Sequence, residues 1–196
     1  MLGKFQKSLK MKTIKNDRFI LKLLELEKAH LVCNYFLKNQ EHLKKTMPYF
    51  GSTMFEIPHW EKTLKQNLEY FKNKKALRLF ILNPDETEVL GTINFTEFRR
   101  GVYQGCFLGY GIAKKHEGKG LMTEALNLAI NYVFKELNFH KILANYMPLN
   151  KKSGRVLQKL GFHEVGLAKQ ELFLDGQWQD HIETRLINDN WSDVIS

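Results

Sequence analysis

Apolar residues recur along this chain with two different periods, and each period predicts one kind of secondary structure. Short apolar runs bounded by turn residues predict strands, and apolar positions spaced by three or four residues predict helices. The sequence predicts strands at 18–26, 77–82, 89–98, 106–113, 141–147, 171–174 and 178–187, and helices at 27–45, 58–72, from 118 onward, and 150–160. The helix after Gly118 is the clearest, because its apolar residues follow at intervals of four, three, four and four: Met122, Leu126, Ala129, Val133 and Leu137.

The order β-α-α-β-β-β-α-β-α-β-β predicts an α+β or mixed α/β layer architecture, with helices inserted between strands. A chain of 196 residues without repeats or linkers is typical of one domain. No apolar run approaches the roughly 18 residues that a membrane span requires, and we expect no membrane association. The first residues lack the apolar core of a signal peptide, and Cys33 and Cys106 show no CxxC spacing. These features predict reduced thiols and a cytoplasmic protein.

The net charge of the chain limits the classes of binding partner that we expect. Lys and Arg number 30 against 21 Asp and Glu, a net charge of +9 that favours polyanions and counts against polyamine-like acceptors. Part of the excess lies near the N-terminus, at Lys4, Lys7, Lys10, Lys12, Lys15 and Lys22. This tail is either a solvated terminus or an arm that contacts RNA or the ribosome.

The segment 108–122 carries the most informative chemistry. A predicted strand runs into a loop with Gly118 and Gly120, and a helix follows at once. The backbone amides at the start of that helix have no partner within it and favour a phosphate or pyrophosphate. Lys114, Lys115 and Lys119 add positive charge around them.

Three nucleotide-binding motifs can be compared with this loop. A dinucleotide fingerprint needs a third glycine where Thr123 stands. A Walker loop needs Ser or Thr where Gly120 stands, and glycine where Ala113 stands. Lys115-His-Glu-Gly118-Lys-Gly120 resembles the (Arg/Gln)-x-x-Gly-x-(Gly/Ala) loop of the GNAT acetyltransferases, with Lys in place of Gln or Arg.

Two further segments support that resemblance. The segment from His140 to Phe162, with Asn150-Lys-Lys-Ser153 and Leu160-Gly-Phe162, is similar to the strand–Asn-x-x-Ser–helix–Leu-Gly-Phe block of GNAT proteins. Asp175-Gly-Gln-Trp178 resembles the RimJ-type ribosomal-protein-alanine N-acetyltransferases. The resemblance implies a mostly antiparallel, splayed sheet of six to seven strands flanked by about four helices. It implies one GNAT domain at 16–188, between a basic tail at 1–15 and a C-terminal tail at 189–196.

The resemblance also implies an acetyl-CoA site without a metal. The strand before the loop would offer its backbone to pantetheine, the loop would hold pyrophosphate, and Asn150 would contact pantetheine. The implied cofactor residues are Gly111, Ile112, Ala113, Lys115, Glu117, Gly118, Lys119, Gly120, Leu121 and Asn150. Ser153 becomes a candidate proton donor to the CoA thiolate. Helix capping is an alternative role for Asn150 and Ser153.

The implied reaction is direct attack of a neutral amine on the thioester. At pH 7, neutralising an α-amine costs roughly 1 kcal/mol and a lysine amine roughly 4.6 kcal/mol, so a modest base suffices for the former. Glu171 is the nearest match to the glutamate used by related enzymes, and Glu97 is a second candidate; either is otherwise a surface carboxylate. A covalent route through Cys106 is less expected than a buried strand cysteine.

The resemblance predicts acetyl transfer to the N-terminal alanine of a ribosomal protein. Two alternatives stay open: an RNA-associating ribosome-assembly factor with secondary or lost catalysis, and an N-acetyltransferase that acts on a small molecule. The segment 36–60, with Tyr49, Phe50, Phe55 and Trp60, is predicted to cover the acceptor site, or else to pack between two helices.

Overall fold

A computed structural model describes residues 11, 13–47 and 51–193 of the chain. Within them lie eight strands and four α-helices. The strands are β1 (Ile14–Lys15), β2 (Ile20–Lys22), β3 (Leu77–Leu82), β4 (Val89–Arg99), β5 (Gly105–Ile112), β6 (Lys141–Tyr146), β7 (His163–Leu174) and β8 (Gln177–Ile187). The helices are α1 (Ala29–Leu43), α2 (Ile57–Lys72), α3 (Leu121–Lys135) and α4 (Lys151–Lys159).

The eight strands form one sheet in the order β1-β2-β3-β4-β5-β6-β8-β7. All neighbouring strands are antiparallel except β5 and β6. The predicted fold class is therefore confirmed. The sheet has one strand more than the upper expected number, because Ile14 pairs with Leu21 and makes β1 from residues assigned to the tail.

Helices cover both faces of the sheet and create two apolar layers. The predicted apolar face of α3 is buried against Ile93, Phe95 and their neighbours. On the other face, α1 and α2 pack on Phe80 and Leu82 of β3. Because successive side chains of a strand point to opposite faces of the sheet, Leu77, Leu79 and Ile81 point toward α3, and Arg78 points toward α2.

The two parallel strands separate soon after they meet. β5 and β6 pair only from Gly105 to Phe107 on β5, although β5 continues to Ile112. On its other edge, β5 stays paired with β4 as far as Ile112. The last part of β5 therefore has one open edge, as the splayed sheet of the resemblance predicts.

Two predicted bounds differ from the structure by more than three residues. The first predicted strand extended to residue 26, but β2 ends at Lys22 and a single 3-10 turn occupies Leu26–Lys28. β7 begins at His163, eight residues before its predicted start, and forms a long hairpin with β8. In the described part of the chain, no helix is long and apolar enough to cross a membrane.

Candidate functional site

One large cavity of about 1850 Å³ opens on the sheet face beneath α1 and α2 and extends through the gap between β5 and β6. Its lining includes strands β3 to β6, the loop before α3, and the first residues of α4. A pocket for one small ligand typically measures roughly 300–1,000 Å³. The cavity therefore has room for two reactants at once.

The open edge of β5 forms one wall of this cavity. The Ala113 amide donates to the Leu90 oxygen at 2.8 Å, so its N–H is committed to β4. Because successive residues of a strand direct their backbone groups to opposite edges, Gly111 also faces β4, whereas Tyr110 and Ile112 face the gap. Gly111, Ile112 and Ala113 were predicted to offer backbone hydrogen bonds to the cofactor. Of these three, Ile112 faces the gap, Gly111 faces β4, and the Ala113 amide is already bonded to β4.

The glycine loop presents backbone amides to the same cavity. Gly118 and Gly120 have φ angles of +73° and +74°, and α3 begins at Leu121 directly after them. The N-cap residue of α3 is Gly120, which has no side chain to cap the helix. The amides of the first turn are therefore open to a ligand. The Glu117 amide donates to the Lys114 oxygen at 3.2 Å. The candidate anion site therefore starts at Gly118 and not, as predicted, at Glu117.

The loop lysines differ from the prediction. The Lys115 Nζ atom lies 2.6 Å from a Glu88 carboxylate oxygen, and neither Lys115 nor Lys119 lines the cavity. The Lys119 carbonyl instead accepts a hydrogen bond from Arg18 at 2.9 Å, which ties the loop to the start of β2. Of the three loop lysines, Lys114 does line the cavity, and three further basic residues of the lining come from α4: Lys152, Arg155 and Lys159.

Glu117 connects the loop to two helices. Its carboxylate lies 2.7 Å from Lys152 Nζ on α4 and 3.5 Å from His42 Nε2 on α1. This carboxylate is therefore paired with Lys152 and lies beside the His42 ring, and all three residues line the cavity.

At the start of α4, both predicted roles are structurally compatible. Asn150 Oδ1 accepts a hydrogen bond from the Ser153 amide at 3.2 Å, so Asn150 caps the helix. Ser153 Oγ and Tyr110 Oη share a hydrogen bond of 2.7 Å. Burial raises the pKa of Tyr110 to about 12, so its hydroxyl is neutral at physiological pH. Asn150 and Ser153 both line the cavity.

The two predicted carboxylate bases lie on different strands but line the same cavity. Glu171 is exposed, in a stretch of β7 where the register with β8 shifts between Ala168 and Leu172. Glu97 has a φ angle of +50° at an irregularity of β4, and its carboxylate pairs with Arg99. Both carboxylates are accessible to a substrate in the cavity.

The structure also places in the cavity lining a residue that the sequence did not single out, His181. It is 3% exposed, and its Nδ1 atom donates to the Gln179 oxygen at 3.1 Å. Among the described residues, no group of His, Cys, Asp and Glu side chains could hold a metal ion. Cys106 is fully buried outside the lining, and burial raises the pKa of its thiol to about 12. The structure therefore favours the buried strand cysteine over the covalent route.

Part of the predicted acceptor cover lines the cavity and also packs in the core. Phe36 and Trp60 stack with ring centroids 4.6 Å apart, and Trp60 Nε1 donates to the Met54 oxygen at 2.7 Å. Tyr49 and Phe50 lie outside the described residues. Phe36 and Trp60 are thus packed in the core, as one interpretation of the segment 36–60 expects, and the interpretation that this segment covers the acceptor site stays a prediction.

Comparisons with known proteins agree with this geometry. Residues 18–163 match the acetyltransferase (GNAT) domain family. The chain is 39% identical over 176 residues to the [ribosomal protein uS5]-alanine N-acetyltransferase of Escherichia coli, covering 90% of this chain and 91% of that protein. The crystal structure of the ribosomal-protein-S5-alanine acetyltransferase from Vibrio fischeri superposes with a TM-score of 0.89 at 32% identity, over 93% of this chain and 100% of that one.

A second solved structure was determined with a bound coenzyme derivative. Mycobacterium smegmatis RimJ in complex with CoA-disulfide superposes with a TM-score of 0.81 at 26% identity. The match covers 86% of this chain and 81% of that chain.

Proposed function

This chain belongs to the acetyltransferase (GNAT) family, and we propose that within that family it transfers acetyl from acetyl-CoA to the N-terminal α-amine of alanine in a ribosomal protein. The observation that carries the proposal is the single cavity that joins the open edge of β5 to the space beneath α1 and α2. Such a cavity lets both reactants meet directly. The similarity to the uS5-alanine N-acetyltransferases supports the choice of acceptor.

The residues around the gap fit the two ends of an acetyl-CoA molecule. The backbone of Ile112 can hydrogen-bond the pantetheine arm along the open edge of β5. The amides that follow Gly118 and Gly120 suit a pyrophosphate, because the helix dipole adds to their positive ends. Asn150 faces the arm from the start of α4, and Lys152 and Arg155 add positive charge nearby.

Acetyl-CoA supplies a thioester carbonyl whose carbon accepts the amine nitrogen and whose C–S bond then breaks. In our proposal the Ile112 amide stabilises the negative charge that develops on the carbonyl oxygen. Ser153 donates its hydroxyl proton to the departing sulfur and takes the proton of Tyr110 through their 2.7 Å hydrogen bond, and water in the cavity then returns a proton to Tyr110. The raised pKa of Tyr110 keeps its hydroxyl protonated before the transfer and favours its reprotonation afterwards.

The acceptor amine must lose one proton before attack and another as the amide forms. Glu171 and Glu97 are the proposed bases, acting directly or through a water molecule. Neither carboxylate is buried. The pKa of an α-amine lies within about one unit of pH 7, so removing its proton costs only roughly 1 kcal/mol, and an ordinary carboxylate with bulk water suffices for it.

We place the reaction in the cytoplasm, where ribosomal proteins are made, and we propose that the net charge of +9 assists contact with the ribosome. Lys4, Lys7, Lys10 and Lys12 of the basic tail lie outside the described residues. Co-sedimentation with ribosomes should fall steeply between about 50 and 200 mM salt. Binding that does not respond to salt would contradict an electrostatic contact.

The proposed activity is tested by mixing the protein with acetyl-CoA and peptides that begin with Ala, Ser or Met, and by following release of free thiol. Spermidine is the control acceptor. We expect release with the Ala peptide above the others, none with spermidine, and a loss in Ser153→Ala. Release only with spermidine would overturn the proposal. Failure of every peptide, followed by failure of a purified ribosomal protein, would overturn it as well.

A further inference from the structure

The cavity lining contains an arginine, Arg78, whose guanidinium has no hydrogen-bond or ion-pair partner among the residues that the structure describes. Arg78 lies in the middle of β3, between Leu77 and Leu79, which are both fully buried on the opposite face. Its Nε atom is buried, and among the described residues it has no hydrogen-bond acceptor. Within the same residues, no carboxylate lies within ion-pair distance of its guanidinium. Arg78 is part of the cavity lining.

An unpaired guanidinium in this position is costly. Arg78 is half-buried, with its Nε atom out of contact with water. Arginine stays charged in proteins, and removing part of a charged group from water destabilises the fold unless that part is paired or hydrogen-bonded. Burial lowers the pKa of Arg78, which shows the same loss of solvation. The cost is offset when an anion enters the cavity, and the planar fork of a guanidinium matches a carboxylate with two parallel hydrogen bonds.

The neighbours of Arg78 are also suited to an anion. Asn94 is its direct partner across the β3–β4 ladder, and Asn67 of α2, only 5% exposed, is part of the same cavity lining. Both side chains line the cavity and carry amide donors. The acidic residues of the lining lie on other elements, and two of them are already paired, Glu97 with Arg99 and Glu117 with Lys152.

The distance from Arg78 to the reaction site suggests which part of the acceptor reaches it. β3 lies two strands from β5, which is about 10 Å at the usual strand spacing, and Ile112 is three residues along β5 from Gly109, the residue aligned with Arg78, which adds about 10 Å along the strand. The two backbone positions are therefore about 14 Å apart, and the Arg78 side chain and an acidic side chain of the acceptor span part of that distance. An extended chain advances about 3.3–3.6 Å per residue. A peptide whose α-amine is at the Ile112 edge therefore brings residues two to four, counted from its N-terminus, near Arg78.

We propose that Arg78, assisted by Asn94 and Asn67, binds an acidic side chain among residues two to four of the acceptor polypeptide. This inference rests on the proposed N-terminal transfer and makes Arg78 a specificity-determining residue of that reaction. The net charge of +9 favours the approach of such an acidic segment.

The test uses alanine-initiated peptides that are identical except for Glu or Gln at position two, three or four. For each pair, kcat/KM and the affinity for the CoA-bound protein are measured with wild type, Arg78→Met and Arg78→Lys. We expect wild type to prefer Glu at one position by at least about tenfold. The preference should disappear in Arg78→Met and be partly kept in Arg78→Lys. Arg185→Gln is the matched control, because Arg185 is a half-buried arginine of the same sheet outside the lining, and its Glu/Gln ratio should equal that of wild type.

Thermal unfolding separates recognition from a structural role. Removing an unpaired buried charge should leave the melting temperature of Arg78→Met at or above that of wild type. Acetylation without any Glu preference, or a preference that persists in Arg78→Met, would overturn the inference while leaving N-terminal transfer intact. Arg78-dependent binding of Glu peptides without acetylation would uphold the site and contradict the proposed reaction. If no peptide is acetylated and Glu and Gln peptides bind equally, both the inference and the proposed reaction are overturned.

Discussion

The close approach of β4 to β5 gives a quantitative prediction about the acetyl-CoA site. Gly91 on β4 is paired with Ile112 on β5, and a Cβ atom added at Gly91 would lie 2.6 Å from the carbonyl oxygen of the adjacent Gly111. Ordinary contacts of a Cβ begin at 3.4 Å, so Gly91→Ala forces a backbone shift of about 0.8 Å. The atom that must move belongs to the strand whose other edge faces the gap.

The expected effect has a structural part and a functional part. Forced overpacking costs about 1–3 kcal/mol, which lowers the melting temperature by about 2–12 °C in a domain of this size. A misplacement near 1 Å can reduce rates on the order of 10²-fold. We therefore expect kcat/KM for acetyl-CoA to fall at least about tenfold in Gly91→Ala.

Thermal unfolding measures the structural part. Acetylation rates at varied acetyl-CoA, together with calorimetric titration of acetyl-CoA, measure the functional part. Gly109→Ala on β5 is the matched control, because no atom lies within 4 Å of its added Cβ. The control should shift the free energy of unfolding by less than about 0.5 kcal/mol. Gly91→Ala with the wild-type melting temperature and acetyl-CoA affinity would refute the claim that the Gly91–Gly111 contact positions the edge.

Three further predictions concern individual side chains. Asn150→Ala should lower the free energy of unfolding by about 1 kcal/mol through loss of the cap, and Asn150→Asp should not; equal urea midpoints would contradict the cap. Ser153→Ala should lower kcat on the order of 10²-fold, with a smaller change in KM for acetyl-CoA; an unchanged kcat would remove Ser153 from proton transfer. Because burial raises the pKa of Tyr110 to about 12, the folded state keeps a proton that the unfolded chain loses from about pH 10. Stability should therefore fall between about pH 10 and 12, and less steeply in Tyr110→Phe; parallel urea profiles would contradict this.

Elements with a clear apolar pattern, either a short continuous run or a helical spacing, could be predicted from sequence. The bounds of β3 match the prediction, and the spaced apolar residues of α3 face the core. β7 shows the limit, because nearly all of its residues from His163 to Phe173 are exposed and leave no alternation to detect. β1 is two residues long, which is too short to carry a pattern.

The site was predictable where it depends on local sequence. Gly118 and Gly120 predicted the loop before α3, and the spacing of Asn150 and Ser153 predicted the start of α4. Arg78, Asn94 and Asn67 were missed, because each stands alone among residues of its own element and only the β3–β4 register and α2 bring them together. The side chain of Lys115 was assigned wrongly, since Glu88, 27 positions away in the chain, draws it out of the cavity.

The most direct test of the account is a crystal structure of the protein with CoA and an alanine-initiated peptide. We expect pantetheine along the open edge of β5 at Ile112, pyrophosphate on the amides after Gly118 and Gly120, and the peptide amine beside the sulfur in the cavity beneath α1 and α2. CoA bound away from the gap between β5 and β6, or a peptide outside that cavity, would contradict it.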